Sequence, residues 1–159
     1  MDATFWLNVL MCWLHVTSAV AAVGGLLAMR FAVVPALTGR ADGAELYTTI
    51  QHGFKKLMHS ALGLALLTGF YNYGVVAAGS LRKIRETHTD LGLLGSYNAV
   101  MGIKMLLSFV LFGMAIALLK PSDALPEARK SAITVNLVVG LLILALAAYL
   151  RRLWPLPLP

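Results

Sequence analysis

Residues 5–29, FWLNVLMCWLHVTSAVAAVGGLLAM, run for 25 positions without a side chain ionised at neutral pH. A helix that crosses about 30 Å of hydrocarbon needs roughly 20 mostly apolar residues, so this stretch reads as a transmembrane span. Two further charge-free stretches lie between Lys56 and Arg82 and between Lys130 and Arg151. A fourth, Leu91 to Leu119, is equally apolar but contains one lysine, Lys104. The spacing predicts spans over residues 5–30, 57–78, 98–119 and 132–150, all within a single domain of residues 1–159, with the first helix free to continue past Arg30 towards Pro35. The expected fold class is all-α, an integral membrane antiparallel four-helix bundle.

Composition points the same way. The chain is 59% hydrophobic and 13% charged, with a mean hydropathy of +0.79, whereas an average soluble domain is about 25% charged. The net charge of +6 comes from basic residues at the span ends, where they meet lipid headgroups. The lipid bilayer, not nucleic acid, is therefore the expected partner. The single cysteine, Cys12, lies inside the first apolar run, which excludes an intrachain disulfide. The start, Met1-Asp2, has no basic region and leads into too long an apolar run to read as a signal peptide. Seven basic residues fall on the side of the first and third connections, against five on the other. In a bacterial inner membrane this balance favours periplasmic termini.

The connections carry their own patterns. Leu46, Ile50 and Phe54 recur at intervals of four after Asp42 and Glu45, which stand in capping-box spacing. This segment reads as a short interfacial helix or as an extension of the second span. Residues 80–91 also look interfacial, with Leu81, Ile84 and Leu91 set apart from Arg82, Lys83 and Arg85. Three prolines in the tail from Trp154 to Pro159 exclude a helix there.

Polar groups inside spans are expensive, and each is a candidate functional residue. Ser18, Asn136 and the span glycines are read as helix-packing residues. His15 lies about ten residues into span one, roughly 13–15 Å from its start. Lys104 lies roughly 9 Å below the same surface, and Tyr73, at the end of span two, returns to that depth. These three are expected to line one pocket. His59 sits at the other end of span two, more than about 10 Å away in depth, where it serves a second centre or faces headgroups. Met11 and Cys12 share a helix flank with His15, and Met101 and Met105 form a second pair. Thioether, thiolate and imidazole ligands together suit Cu(I).

Several short motifs resemble a known family. Trp13-Leu14-His15-Val16, Gly24-Gly25, Pro35-Ala36-Leu37, the basic Lys55-Lys56, Leu67-Thr68-Gly69 and the Lys104 run resemble the CopD-like membrane proteins over roughly residues 13–106. The related HemJ-type protoporphyrinogen oxidases share the early histidine, the later glycine and a lysine in an apolar helix. That resemblance implies b-type haem (haem b) on His15, with Lys104 as its partner. Tyr73, at the same depth, is a further candidate to bond a propionate, and the depth of His59 argues against its sharing that haem and leaves it as a candidate for a second centre. Arg30 stands near the oxidases' Pro-Arg, but without the proline. Three readings stay open. One is a haem-binding membrane oxidoreductase acting on electrons or a porphyrin- or quinone-type substrate. The second is a copper-handling protein using Met11, Cys12, His15, Met101 and Met105. The third is a cofactor-free accessory subunit of a homo-oligomer or larger membrane complex.

Overall fold

A computed structural model describes residues 2–78, 82, 91–118 and 126–153. Every regular element among them is helical. Helix α1 (Ala3–Ala28) starts on Asp2, whose Oδ1 accepts the Phe5 amide hydrogen at 3.0 Å. It passes through a π-helical segment (Met29–Val33) into α2 (Val34–Leu37) without leaving helical geometry. Pro35 explains the switch. Its ring removes one amide hydrogen and crowds the preceding turn, and the wider turn upstream absorbs that, with the Val34 amide bonded to Met29 O. The resulting rod, Ala3–Leu37, is 35 residues long.

The rod ends at Thr38, whose backbone is extended and whose hydroxyl donates to Val34 O at 2.9 Å. Gly39 follows at φ +77°, a left-handed conformation that glycine adopts without strain. Gly43 then approaches Leu37 O so closely that a Cβ would overlap it. Asp42 occupies the N-cap position of α3 (Gly43–Tyr71) but makes no side-chain cap. Its carboxylate is held by Arg40 at 2.9 Å instead, and this hydrogen bond keeps its pKa below the ordinary value. The capping box expected with Glu45 is thus replaced by an ion pair. Of the two readings of residues 42–56, the extension holds: α3 is one continuous helix from Gly43 to Tyr71, followed by a π-helical segment over Asn72–Ala77.

Helices α4 (Leu91–Leu118) and α5 (Pro126–Leu153) complete the described chain. Both start earlier than residues 98 and 132. The second connection beyond Arg82, the third connection and the tail lie outside the described residues.

Three stretches among the described residues are long and apolar enough to cross a membrane: Ala3–Leu37, Gly95–Leu118 and Ala128–Arg152. Helix α3 is not one of them. Its middle carries His52, Lys55, Lys56 and His59, and it ends on Tyr71, with Asn72 next in the π-helical segment. Large apolar side chains such as Trp13, Phe31, Leu67 and Leu106 stand exposed on the outside, where hydrocarbon covers them at no cost. The chain is a membrane-embedded, all-helical protein.

Interhelical contact is concentrated between α1 and α3 and between α4 and α5. Both pairs are antiparallel. Asn8 meets Tyr71 while Gly25 meets Phe54, and Leu118 meets Arg129 while Leu111 meets Gly140. Arg30, which the charge pattern places at the end of span one, lies inside the rod. Its Nε donates to Thr134 Oγ1 at 2.7 Å, and its guanidinium lies 5.1 Å from the Phe31 ring centroid.

The end of α4 is closed by two donors. Gln51 Nε2 and Arg129 Nη1, the latter at 2.7 Å, both donate to Leu118 O, an acceptor that the helix terminus leaves free. Gln51 is 4% exposed. Gln51→Leu is expected to lower stability by about 1 kcal/mol, read as a fall of a few degrees in the melting temperature of the protein in detergent.

Candidate functional site

Antiparallel packing of α1 on α3 brings His15 against residues 65–69. His15 Nδ1 lies 2.9 Å from Ala65 O and 3.2 Å from Thr68 Oγ1. A carbonyl oxygen only accepts, so Nδ1 carries the ring hydrogen. In the neutral imidazole Nε2 then keeps the lone pair. Thr68 is buried, and its own hydroxyl donates to Leu64 O at 2.6 Å, which leaves an oxygen lone pair for the His15 N–H. Gly69 makes the approach possible, because a Cβ there would lie 3.1 Å from His15 Cε1.

A cavity of about 240 Å³ opens beside this contact, between α1, α3, α4 and α5. Its long walls are apolar, formed by residues such as Leu66, Phe70, Phe109, Phe112 and Ile143. Its polar groups are His15, Asn72, Tyr73, Tyr97, Lys104 and Ser108. Phe70 and Phe109 also face outwards, each about half exposed, so the cavity is open on that flank. Asn72 and Tyr73 are consecutive and both reach the cavity, at the point where α3 gives way to π-helical geometry. Such distortions recur at functional sites. The polar ends of α1 and α3 are tied by Tyr71 Oη, which donates to Asn8 Oδ1 at 3.0 Å, and by Asn72 Nδ2, which donates to Met11 O at 3.4 Å.

The structure therefore brings His15, Tyr73, Lys104, Met101 and Met105 to one cavity. It does not bring His59 there. That side chain is exposed and donates from Nδ1 to Lys55 O at 2.8 Å, roughly 13 Å along α3 from Thr68. Cys12 is exposed on α1, and Met11 is half-buried outside the cavity lining. Among the described residues no three His, Cys, Asp or Glu side chains converge on a point. Ser108 spends its hydroxyl on Lys104 O at 2.8 Å. Among the described residues the Lys104 ammonium has no carboxylate partner, the ion pair there being Arg40 with Asp42.

Sequence reading singles out His15 but not the groups that orient it, Ala65 O and Thr68, nor Asn72 as a wall residue. The Leu67-Thr68-Gly69 run was the one available signal for that contact. Chemically, the cavity offers an imidazole, two thioethers, a lysine amino group and phenol hydroxyls around an apolar slot. Comparison with protein families, with characterised proteins and with solved structures finds no match to this chain.

Proposed function

We propose that this chain is a four-span antiparallel helical bundle of the bacterial inner membrane that binds b-type haem, as its resemblance to CopD-like and HemJ-type proteins implies. The observation that carries the reading is the His15 hydrogen bond to Ala65 O, which leaves Nε2 as a lone-pair donor beside a cavity. Ligand histidines typically donate their second ring N–H to a carbonyl or carboxylate, which fixes tautomer and orientation. The residues also fit the rest of the group. The apolar walls suit a macrocycle, and the open flank at Phe70 and Phe109 means that a flat ring need not be wholly enclosed. Lys104, which has no carboxylate partner among the described residues, supplies a cation for a propionate, and Tyr73 supplies a hydroxyl donor. Bound there, haem provides one-electron redox chemistry. The chain's contribution is to ligate, to hold the carboxylates and to keep bulk water from the ring. His59 is left to the headgroup region in this reading.

One observation favours a second reading. Met101 and Met105 share the cavity with His15, and soft sulfur with imidazole suits Cu(I). The copper set then shrinks to His15, Met101 and Met105, because Met11 and Cys12 lie elsewhere.

Absorption spectra and metal analysis of protein purified in mild detergent separate the readings. About one b-type haem per chain with a Soret band supports the first. Stoichiometric copper without a Soret band supports the second. Folded protein that stays colourless and metal-free after incubation with haemin and with Cu(I) contradicts both.

Gly69→Val is a local test. The branched side chain would push the imidazole off Ala65 O, losing a hydrogen bond worth about 1 kcal/mol and misdirecting Nε2. Haemin affinity is expected to fall roughly 10-fold or more, measured by Soret titration, with the helical circular dichroism signal unchanged.

A further inference from the structure

The cavity beside His15 is polar at one end and apolar at the other. Gly140 marks the far level, since a Cβ there would lie 3.1 Å from a Val23 methyl and 3.2 Å from a Leu111 methyl. His15 precedes Val23 on α1, and Lys104 precedes Leu111 on α4, by roughly 12 and 10.5 Å of helical rise. These two helices run parallel, so both side chains lie at the near level. On α3, which runs the other way, Gly69 meets His15, and Leu62 lies roughly 10.5 Å beyond it, at the far level. The near end of the lining thus carries His15, Tyr73, Tyr97 and Lys104. The far end carries only apolar groups, among them Val23, Leu62, Leu111 and Phe112.

The open flank lies between α3 and α4, two helices that touch little. Phe109 on its rim stands near the middle of the apolar stretch Gly95–Leu118, so the flank meets hydrocarbon and not headgroups. Leu67 and Leu106, on the outside of the same two helices, are 72% and 65% exposed. A ligand that enters by this flank is one that dissolves in the bilayer. Lys104 offers donors and no acceptor, and among the described residues it has no carboxylate partner; an acidic head group supplies one.

We propose that the cavity takes a carboxylate-headed amphiphile from the bilayer through the flank between α3 and α4. Its head lies at Lys104 and Tyr73, and its apolar body runs to Leu62 and Leu111. That is the orientation such a molecule already has in the leaflet at the end of the bundle that carries the N-terminus, so it enters without turning over. The proposal rests on this cavity being the ligand site, the part of the haem reading that does not depend on iron.

Photolabelling tests it on the full chain in lipid nanodiscs. The probe is palmitic acid with a diazirine at mid-chain, used below saturation, and its methyl ester is the control. Leu62 and Leu111 line the cavity but are 3% and 5% exposed, so a label there reports a chain inside and not the surrounding lipid. The acid is expected to label them roughly 10-fold or more above the ester, the ratio that one charge-assisted hydrogen bond provides. A diazirine placed next to the head is expected to move the label to Met101 and Tyr73. Wild-type protein overturns the proposal if Leu62 and Leu111 stay unlabelled, if acid and ester label equally, or if the two diazirine positions give the reverse pattern. An acid preference that survives in folded Lys104→Met overturns it as well. Haemin titration of the same preparation is read apart. Haemin binding without acid labelling keeps the haem reading and removes this one, and acid labelling without haemin binding does the opposite.

Discussion

Purified His15→Gly protein is expected to bind haemin at least on the order of 100-fold more weakly than wild type, with part of the loss restored by millimolar imidazole. The size follows from rank. Removing a group that merely orients a ligand histidine typically costs 10–100-fold in affinity, and removing the ligand itself should reach the upper end or beyond. Rescue separates ligation from packing. Glycine at position 15 leaves a space the shape of the ring, next to the Ala65 carbonyl and the Thr68 hydroxyl that held Nδ1. A free imidazole can donate to the same acceptors. A protein that loses haemin binding because α1 has shifted would not respond to imidazole. Soret titrations with and without imidazole make the measurement, and equal affinity in wild type and His15→Gly would remove His15 from the site.

Lys104→Met is expected to move two quantities in opposite directions. In the ligand-free protein the ammonium lines an apolar cavity without a carboxylate partner among the described residues. An uncompensated cation in such a place is destabilising, and an apolar side chain of similar length is expected to stabilise the empty protein by about 1–3 kcal/mol. With haemin the sign reverses. A charge-assisted hydrogen bond to a propionate contributes about 1.5–3 kcal/mol, so its loss should weaken binding by roughly 10-fold to 150-fold. A melting temperature that rises without ligand, beside a weaker Soret titration, is the signature of a cation placed for an anionic ligand. A fall in melting temperature without ligand would show instead that Lys104 serves the fold, with its ammonium reaching the headgroups.

The same residues show what was legible in the sequence. The charge-free run around His15 announces a long helix, because hydrocarbon leaves the backbone no partner but itself. A charge count ends the span at Arg30, while the pattern beyond allows helix towards Pro35. The helix does continue, to Leu37, because Thr134 accepts from the guanidinium and the π-helical turn accommodates Pro35. Asp42 and Glu45 have the spacing of a capping box, but a competing charge two residues away, Arg40, takes the carboxylate.

Within the site, depth along the helices was accessible from residue counting, which is why His15, Tyr73 and Lys104 could be placed at one level. Facing was not. Cys12 and His15 are three apart and lie on neighbouring flanks of α1, and only packing on α3 decides that one turns outwards and the other into the cavity. The acceptors of the His15 N–H lie 50 and 53 residues away, so no local pattern could have named them. Asn136 reads as a packing residue, and nothing in its neighbours along the chain signals that both ends of its amide lack a partner among the described residues.

The account depends most on one atom, His15 Nε2. Nitrogen-15 NMR of histidine-labelled protein in nanodiscs reports its state directly. The account predicts that His15 is neutral, with the hydrogen on Nδ1 and a lone-pair resonance at Nε2, and that one equivalent of haemin shifts or broadens that resonance. A hydrogen on Nε2 in the ligand-free protein, or an Nε2 signal untouched by haemin, would contradict it.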